Sequence, residues 1–96
     1  MYIIGFLVLL KLNRWQMLSP TWTEVAVFKK MSLGRTYDTF RIYVNEHGCV
    51  KGRSERQGTD CHFKDRESMR NKIKSLKKFK FSLRSGEIPK KVVSPV

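Results

Sequence analysis

"KIKSLKKFKFSLRSG", residues 72–86, carries two periodicities in succession. Ile73, Leu76 and Phe79 recur at the spacing of one helix face, and Phe79, Phe81 and Leu83 at the spacing of one strand face. Between them lie Lys72, Lys74, Lys77, Lys78, Lys80 and Arg84, with no acid in the stretch. Upstream, Asp65 suits an N-cap, and Glu67 and Ser68 suit a first turn. Met69, Ile73 and Leu76 then follow at i, i+4 and i+7. The spacing predicts a helix over 65–78 whose narrow apolar stripe lies on a sheet. "FKFSLR", residues 79–84, should leave it as an extended segment, with Phe79, Phe81 and Leu83 packed inward or against a partner. Lys80, Ser82 and Arg84 should point outward.

Three short strands are expected before that helix. "TWTEVAVFKK", residues 21–30, alternates with apolar side chains on both faces, as a covered strand does. Its pattern sets Trp22, Glu24, Ala26 and Phe28 against Val25, Val27 and Lys29. "SLGRTYD", residues 32–38, reads as a loop around Gly34. "TFRIYVN", residues 39–45, places Phe40, Ile42 and Val44 on one face, a half-buried strand. "NEHG" makes a turn, and Cys49-Val50 opens a third strand. That strand degrades at Gly52, because "KGRSERQGTD", residues 51–60, holds no apolar side chain. A mobile basic loop is expected there, of the kind that contacts ligands.

The start, "MYIIGFLVLLKLNRWQML", is apolar through Leu10 and is ended by Lys11, too short to cross a bilayer as a helix. It lacks a basic residue before the apolar run and a small-residue cleavage site after it, so it is a poor secretory signal. Leucines and methionine favour helix, β-branched residues favour strand, and Ser19-Pro20 stops either. Helix is preferred for this element, which needs a cover.

The chain has 96 residues and a net charge of +12. Residues 1–48 contribute +3 and residues 49–96 contribute +9. Clustered like charge weakens a fold unless a counter-charge is present, and a phosphate polymer both supplies it and releases counterions. Arg66, Arg70, Lys74, Lys77 and Lys78 form the helix stripe next to the apolar one. A helix built for stability alone would intersperse glutamates there. The phosphate contacts expected are therefore Lys51, Arg53, Arg56 and Lys64 before the helix, and those five cations on it. Tyr37, Tyr43 and Phe63, near the basic segments, are candidates for stacking on bases, with core packing as the alternative for each.

Candidates for other chemistry are few. His47, Cys49, Cys61 and His62 are zinc ligands by type, but Cys61 and His62 are adjacent and point to opposite faces of an extended chain. Free thiols are expected, with no metal and no cofactor. A Cys49–Cys61 disulfide is the alternative in an oxidising compartment. A nuclease would draw on His47 and His62 with Lys51 or Lys64, and no motif fixes their geometry. The chain contains no phosphate-binding glycine motif.

The fold expected is α+β: a three-stranded antiparallel sheet with an apolar N-terminal element over residues 1–20 and a basic C-terminal helix. The basic domain covers residues 21–84, and residues 85–96 form an extended or mobile tail. The function expected is non-enzymatic nucleic-acid binding inside the cell, with RNA favoured over DNA, as in a small component of a ribonucleoprotein such as a ribosome. A protein partner could cover residues 1–18. The alternatives are a DNA-binding module, and a membrane-associated or subunit-bridging protein anchored by residues 1–18.

Overall fold

The computed structural model describes residues 21–94. The apolar N-terminal element expected over residues 1–20 lies outside the described residues. The remainder forms β1 (Thr23–Ser32), β2 (Arg35–Val44), β3 (Val50–Ser54), β4 (Asp60–Phe63), α1 (Arg66–Lys78) and β5 (Phe81–Gly86). The sheet has five strands in the order β4-β3-β2-β1-β5, and every neighbouring pair is antiparallel. The sheet thus has two strands more than the three the sequence predicts, and its strands run longer, for three reasons.

The first cause is a tight turn. Residues 32–38 are not a loop, because β1 and β2 keep pairing out to Ser32↔Arg35. Leu33 and Gly34 alone close the hairpin, both at positive φ (53° and 76°). Two such residues give the turn whose twist matches paired strands. Leu33 accepts a backbone region that costs an L-residue roughly 1–2 kcal/mol. A bulge at Val25 also shifts the phase of β1. Glu24 pairs with Tyr43 and Ala26 with Ile42, and both Val25 and Ala26 pack on the core. The plain alternation that grouped Glu24 with Ala26 and Phe28 is therefore broken.

The second cause is a glycine. β3 does not fade at Gly52, because Gly52 sits beneath the Phe40 ring, where any Cβ would collide with it. The ring supplies the apolar cover that the 51–60 sequence lacks, and β3 continues to Ser54. The chain then returns as β4, paired Val50↔Phe63 through Arg53↔Asp60.

The third cause resolves the two periodicities of residues 72–86. Asp65 caps α1 with a reciprocal box: its Oδ1 accepts from the Ser68 N–H at 2.8 Å. The helix ends on Phe79, whose N–H donates to the Ser75 carbonyl at 3.0 Å. Lys80 then takes a left-handed conformation (φ 72°) and turns the chain into β5. β5 pairs with β1 from Lys30↔Phe81 to Ala26↔Gly86, on the edge opposite β4. The helix must therefore cross the sheet. Of the three apolar residues expected inward or against a partner, Phe81 packs against the core, whereas Phe79 (58% exposed) and Leu83 (43%) face solvent.

Met69, Ile73 and Leu76 bury onto Ala26, Phe28, Phe40, Ile42, Val50 and Phe63. Side chains such as Phe28 and Ile42, with no exposed surface, each contribute roughly 1.5–3 kcal/mol by burial. The segment after β5 has no regular secondary structure and, through residue 94, is fastened to the domain. The Glu87 N–H donates to the Val25 carbonyl at 3.0 Å, and the Val93 N–H to the Gly48 carbonyl at 3.1 Å. Ile88 and Val92 pack against the core between those two points.

Gly86 has φ 80°, and a Cβ there would run into the Val25 carbonyl. Gly86→Ala should lower stability by about 2 kcal/mol or more in urea unfolding. Gly34→Ala, with the same sign of φ but open space around it, should cost less. Equal losses would show that the close approach of β5 to β1 carries no weight.

Candidate nucleic-acid interface

The face of the sheet away from α1 carries many of the charges of β1 to β4, and it is largely self-neutralised. Arg41 pairs with Glu24 at 2.9 Å and with Glu55 at 3.1 Å. Asp60 holds Arg53 at 2.8 Å and Lys51 at 3.0 Å. The hydrogen bonds from Arg53 and then Lys51 keep the Asp60 carboxyl below its ordinary pKa. Lys51 is the most committed of the expected phosphate contacts. Its side chain is 15% exposed, and its ammonium lies 4.6 Å from the Trp22 ring centre and 5.6 Å from that of Tyr43. Tyr43 thus has a cation against its ring and is only half-exposed. Exposed ion pairs add little stability. They do, however, leave little net charge on this face to attract a polyanion.

The β3–β4 connection is pinned rather than loose. Asp38 Oδ1 accepts from the Thr39 N–H at 2.7 Å and the Arg56 N–H at 3.1 Å. Asp38 Oδ2 accepts from the Ser54 hydroxyl at 2.9 Å. The expected mobile loop is thereby corrected to a short turn tied to β2. It sets the Arg56 guanidinium 4.3 Å from the Tyr37 ring centre. Phe63, a stacking candidate, is buried in the core at 2% exposure and cannot meet a base. Its position opposite Val50 puts it on the inner face of the sheet.

The helix is different. At about 100° per residue, turning Met69, Ile73 and Leu76 inward carries Arg66, Arg70, Lys77 and Lys74 onto one flank. Lys78 faces solvent, and Lys72, on the other flank, lies 5.4 Å from the Phe40 ring centre. Lys64 is exposed just before the cap. The four-cation flank borders an open groove of about 420 Å³. Its opposite wall is Ile88, Pro89 and Lys90 from the strapped segment, and Met69 and Ile73 contribute to its lining. Five cations and no acid line this groove. Among the described residues, none of the five makes an ion pair. Lys90 was missed by reading residues 85–96 as a separate tail. The only signal for it was the Lys-Lys pair after Pro89.

The other chemical candidates are dispersed. Cys49 is buried and Cys61 exposed, and both are free thiols. His62 sits edge-on to Trp22 at 5.8 Å between ring centres, and His47 lies in the β2–β3 turn. Among the described residues, no three His, Cys, Asp or Glu side chains are grouped to hold a metal ion. None of the described helices is long and apolar enough to cross a membrane. The chain matches no family model, no curated protein and no solved structure.

The cap that starts the basic helix is acid-sensitive. The Ser68 backbone N–H, foremost, lowers the Asp65 pKa. A lowered carboxylate stabilises the fold above its unfolded pKa of about 3.9, and that contribution is lost as pH falls through the lower folded value. Asp65→Asn keeps a capping oxygen but cannot titrate. The urea midpoint of the wild type should therefore fall more steeply than that of Asp65→Asn between pH 4 and pH 2, in the window set by this lowered pKa. Parallel pH profiles would show that the cap does not couple to protonation.

Proposed function

We propose that this protein binds nucleic acid without acting on it chemically, and that RNA is its first ligand, within a ribonucleoprotein inside the cell. The observation that carries the reading is the α1 groove. Arg66, Arg70, Lys74, Lys77 and Lys90 line it with no acid among them, whereas the outer sheet face pairs its cations internally. Residues three and four apart on a helix are neighbours, so these cations repel one another. A phosphate chain relieves that repulsion and releases counterions on binding. Neither histidine lines the groove, which supports binding over catalysis. Contacts of this kind hold the backbone and discriminate little among sequences.

Affinity should be measured for single-stranded RNA, duplex RNA and duplex DNA across salt concentrations. Five neutralised phosphates give a log–log slope of about −3.5 to −4.5, the shallower value applying to single strands. Replacing Arg70 and Lys74 together by Gln should flatten it by about 1.5 while the protein stays folded. An unchanged slope in the folded variant would remove the groove from the interface. A wild type without salt-dependent binding to any of the three would end the reading.

A further inference from the structure

The β1–β2 hairpin outruns the sheet. On one side β5 reaches only Lys30, and on the other β3 pairs only as far as Phe40. Beyond those limits residues 31–37 pair only with each other. At about 3.4 Å per residue the tip stands about 10 Å past Lys30. Arg35 is the cation of the arm itself, Lys29 and Lys30 lie at its base where β1 still pairs with β5, with the Lys30 ammonium 5.2 Å from the Tyr37 ring centre, and the acid at the base, Asp38, is spent on the hydrogen bonds that hold the Arg56 turn.

Leu33 at the tip is fully exposed, 100%, and occupies a left-handed conformation. An asparagine there would suit both the turn and the solvent better. The fold therefore gives no reason for a leucine at this position. Met31, 42% exposed, adds a second apolar side chain beside it.

We propose that this arm is a second RNA contact, in which Leu33 wedges against unpaired bases at a bulge or loop while Arg35 on the arm and Lys29 at its base hold the flanking phosphates. This rests on the RNA reading of the α1 groove. Apolar side chains on basic arms unstack base steps in this way, and unpaired RNA bases are splayed and accessible. A lipid surface fits the arm less well. Even a whole myristoyl chain gives only marginal membrane binding, and Leu33 with Met31 buries fewer carbons.

The test uses RNA duplexes carrying 2-aminopurine, either at a single-nucleotide bulge or at the same position fully paired. Wild-type protein should change the fluorescence of the bulged probe, leave the paired one unaltered, and bind the bulged RNA more tightly. Leu33→Asn should melt at the same or a higher temperature and keep the salt slope. It should lose the fluorescence change and bind the bulged RNA about tenfold more weakly, about 1.4 kcal/mol. A gain in stability with a loss of binding is an outcome that a purely structural leucine cannot produce. If Leu33→Asn binds and reports like wild type, the arm is overturned, while a slope flattened by the Arg70/Lys74 substitutions still upholds the groove. Loss of binding to anionic vesicles by Leu33→Asn, with RNA binding intact, overturns it in favour of a lipid surface. A wild type that binds neither RNA nor DNA removes the groove and the arm together, and one that binds DNA alone removes the arm.

Discussion

The basic groove of this molecule depends on how α1 is rotated on the sheet. Met69, Ile73 and Leu76 bury against Phe28, Phe40 and Ile42, and a close-packed interior tolerates little variation in that fit. Once the apolar stripe is turned inward, the helix period decides where every cation goes. Arg66, Arg70, Lys74 and Lys77 are carried to one flank with no ion pair of their own among the described residues. The hydrophobic contact thus sets the geometry of an electrostatic surface, and the cost of crowding like charges is carried by the burial next to it.

The connection of α1 to the two edges of the sheet reinforces that rotation. β4 delivers the chain at one edge and β5 collects it at the other. Asp65 fixes the start of the crossing, and Lys80, in its left-handed conformation, fixes the end. The strapped segment then runs from Val25 to Gly48 and brings Ile88, Pro89 and Lys90 alongside the basic flank. A bare helix stripe becomes a walled groove by this one addition.

The two faces of the domain show how charge placement, rather than charge number, defines a surface. Arg41, Lys51 and Arg53 are as basic as the helix residues, but Glu24, Glu55 and Asp60 lie within ion-pair distance of them. Their pairing is worth little to stability and much to the field that an approaching polyanion meets. The helix flank has no such partners among the described residues. The protruding hairpin has its own acid, Asp38, turned to backbone and hydroxyl donors.

Much of this was legible in the residues themselves. The i, i+4, i+7 recurrence of Met69, Ile73 and Leu76 places α1, Asp65 places its start, and Phe40, Ile42 and Val44 place the inner face of β2, because each rests on a period that neighbouring residues alone enforce. Charge asymmetry likewise points to the second half of the chain. Three other features depended on contacts distant in sequence. Gly52 continues β3 only because the Phe40 ring covers it. Phe81–Gly86 is a strand only because β1 offers it an edge, and Phe63 is core rather than a stacking surface only because β4 pairs with β3. The neutrality of Lys51 and Arg53 has the same origin, since Asp60 faces them from the next strand. Local periodicity determines elements and their buried sides. Which cations stay free is decided by what the tertiary structure sets opposite them, and no spacing within a single segment encodes that.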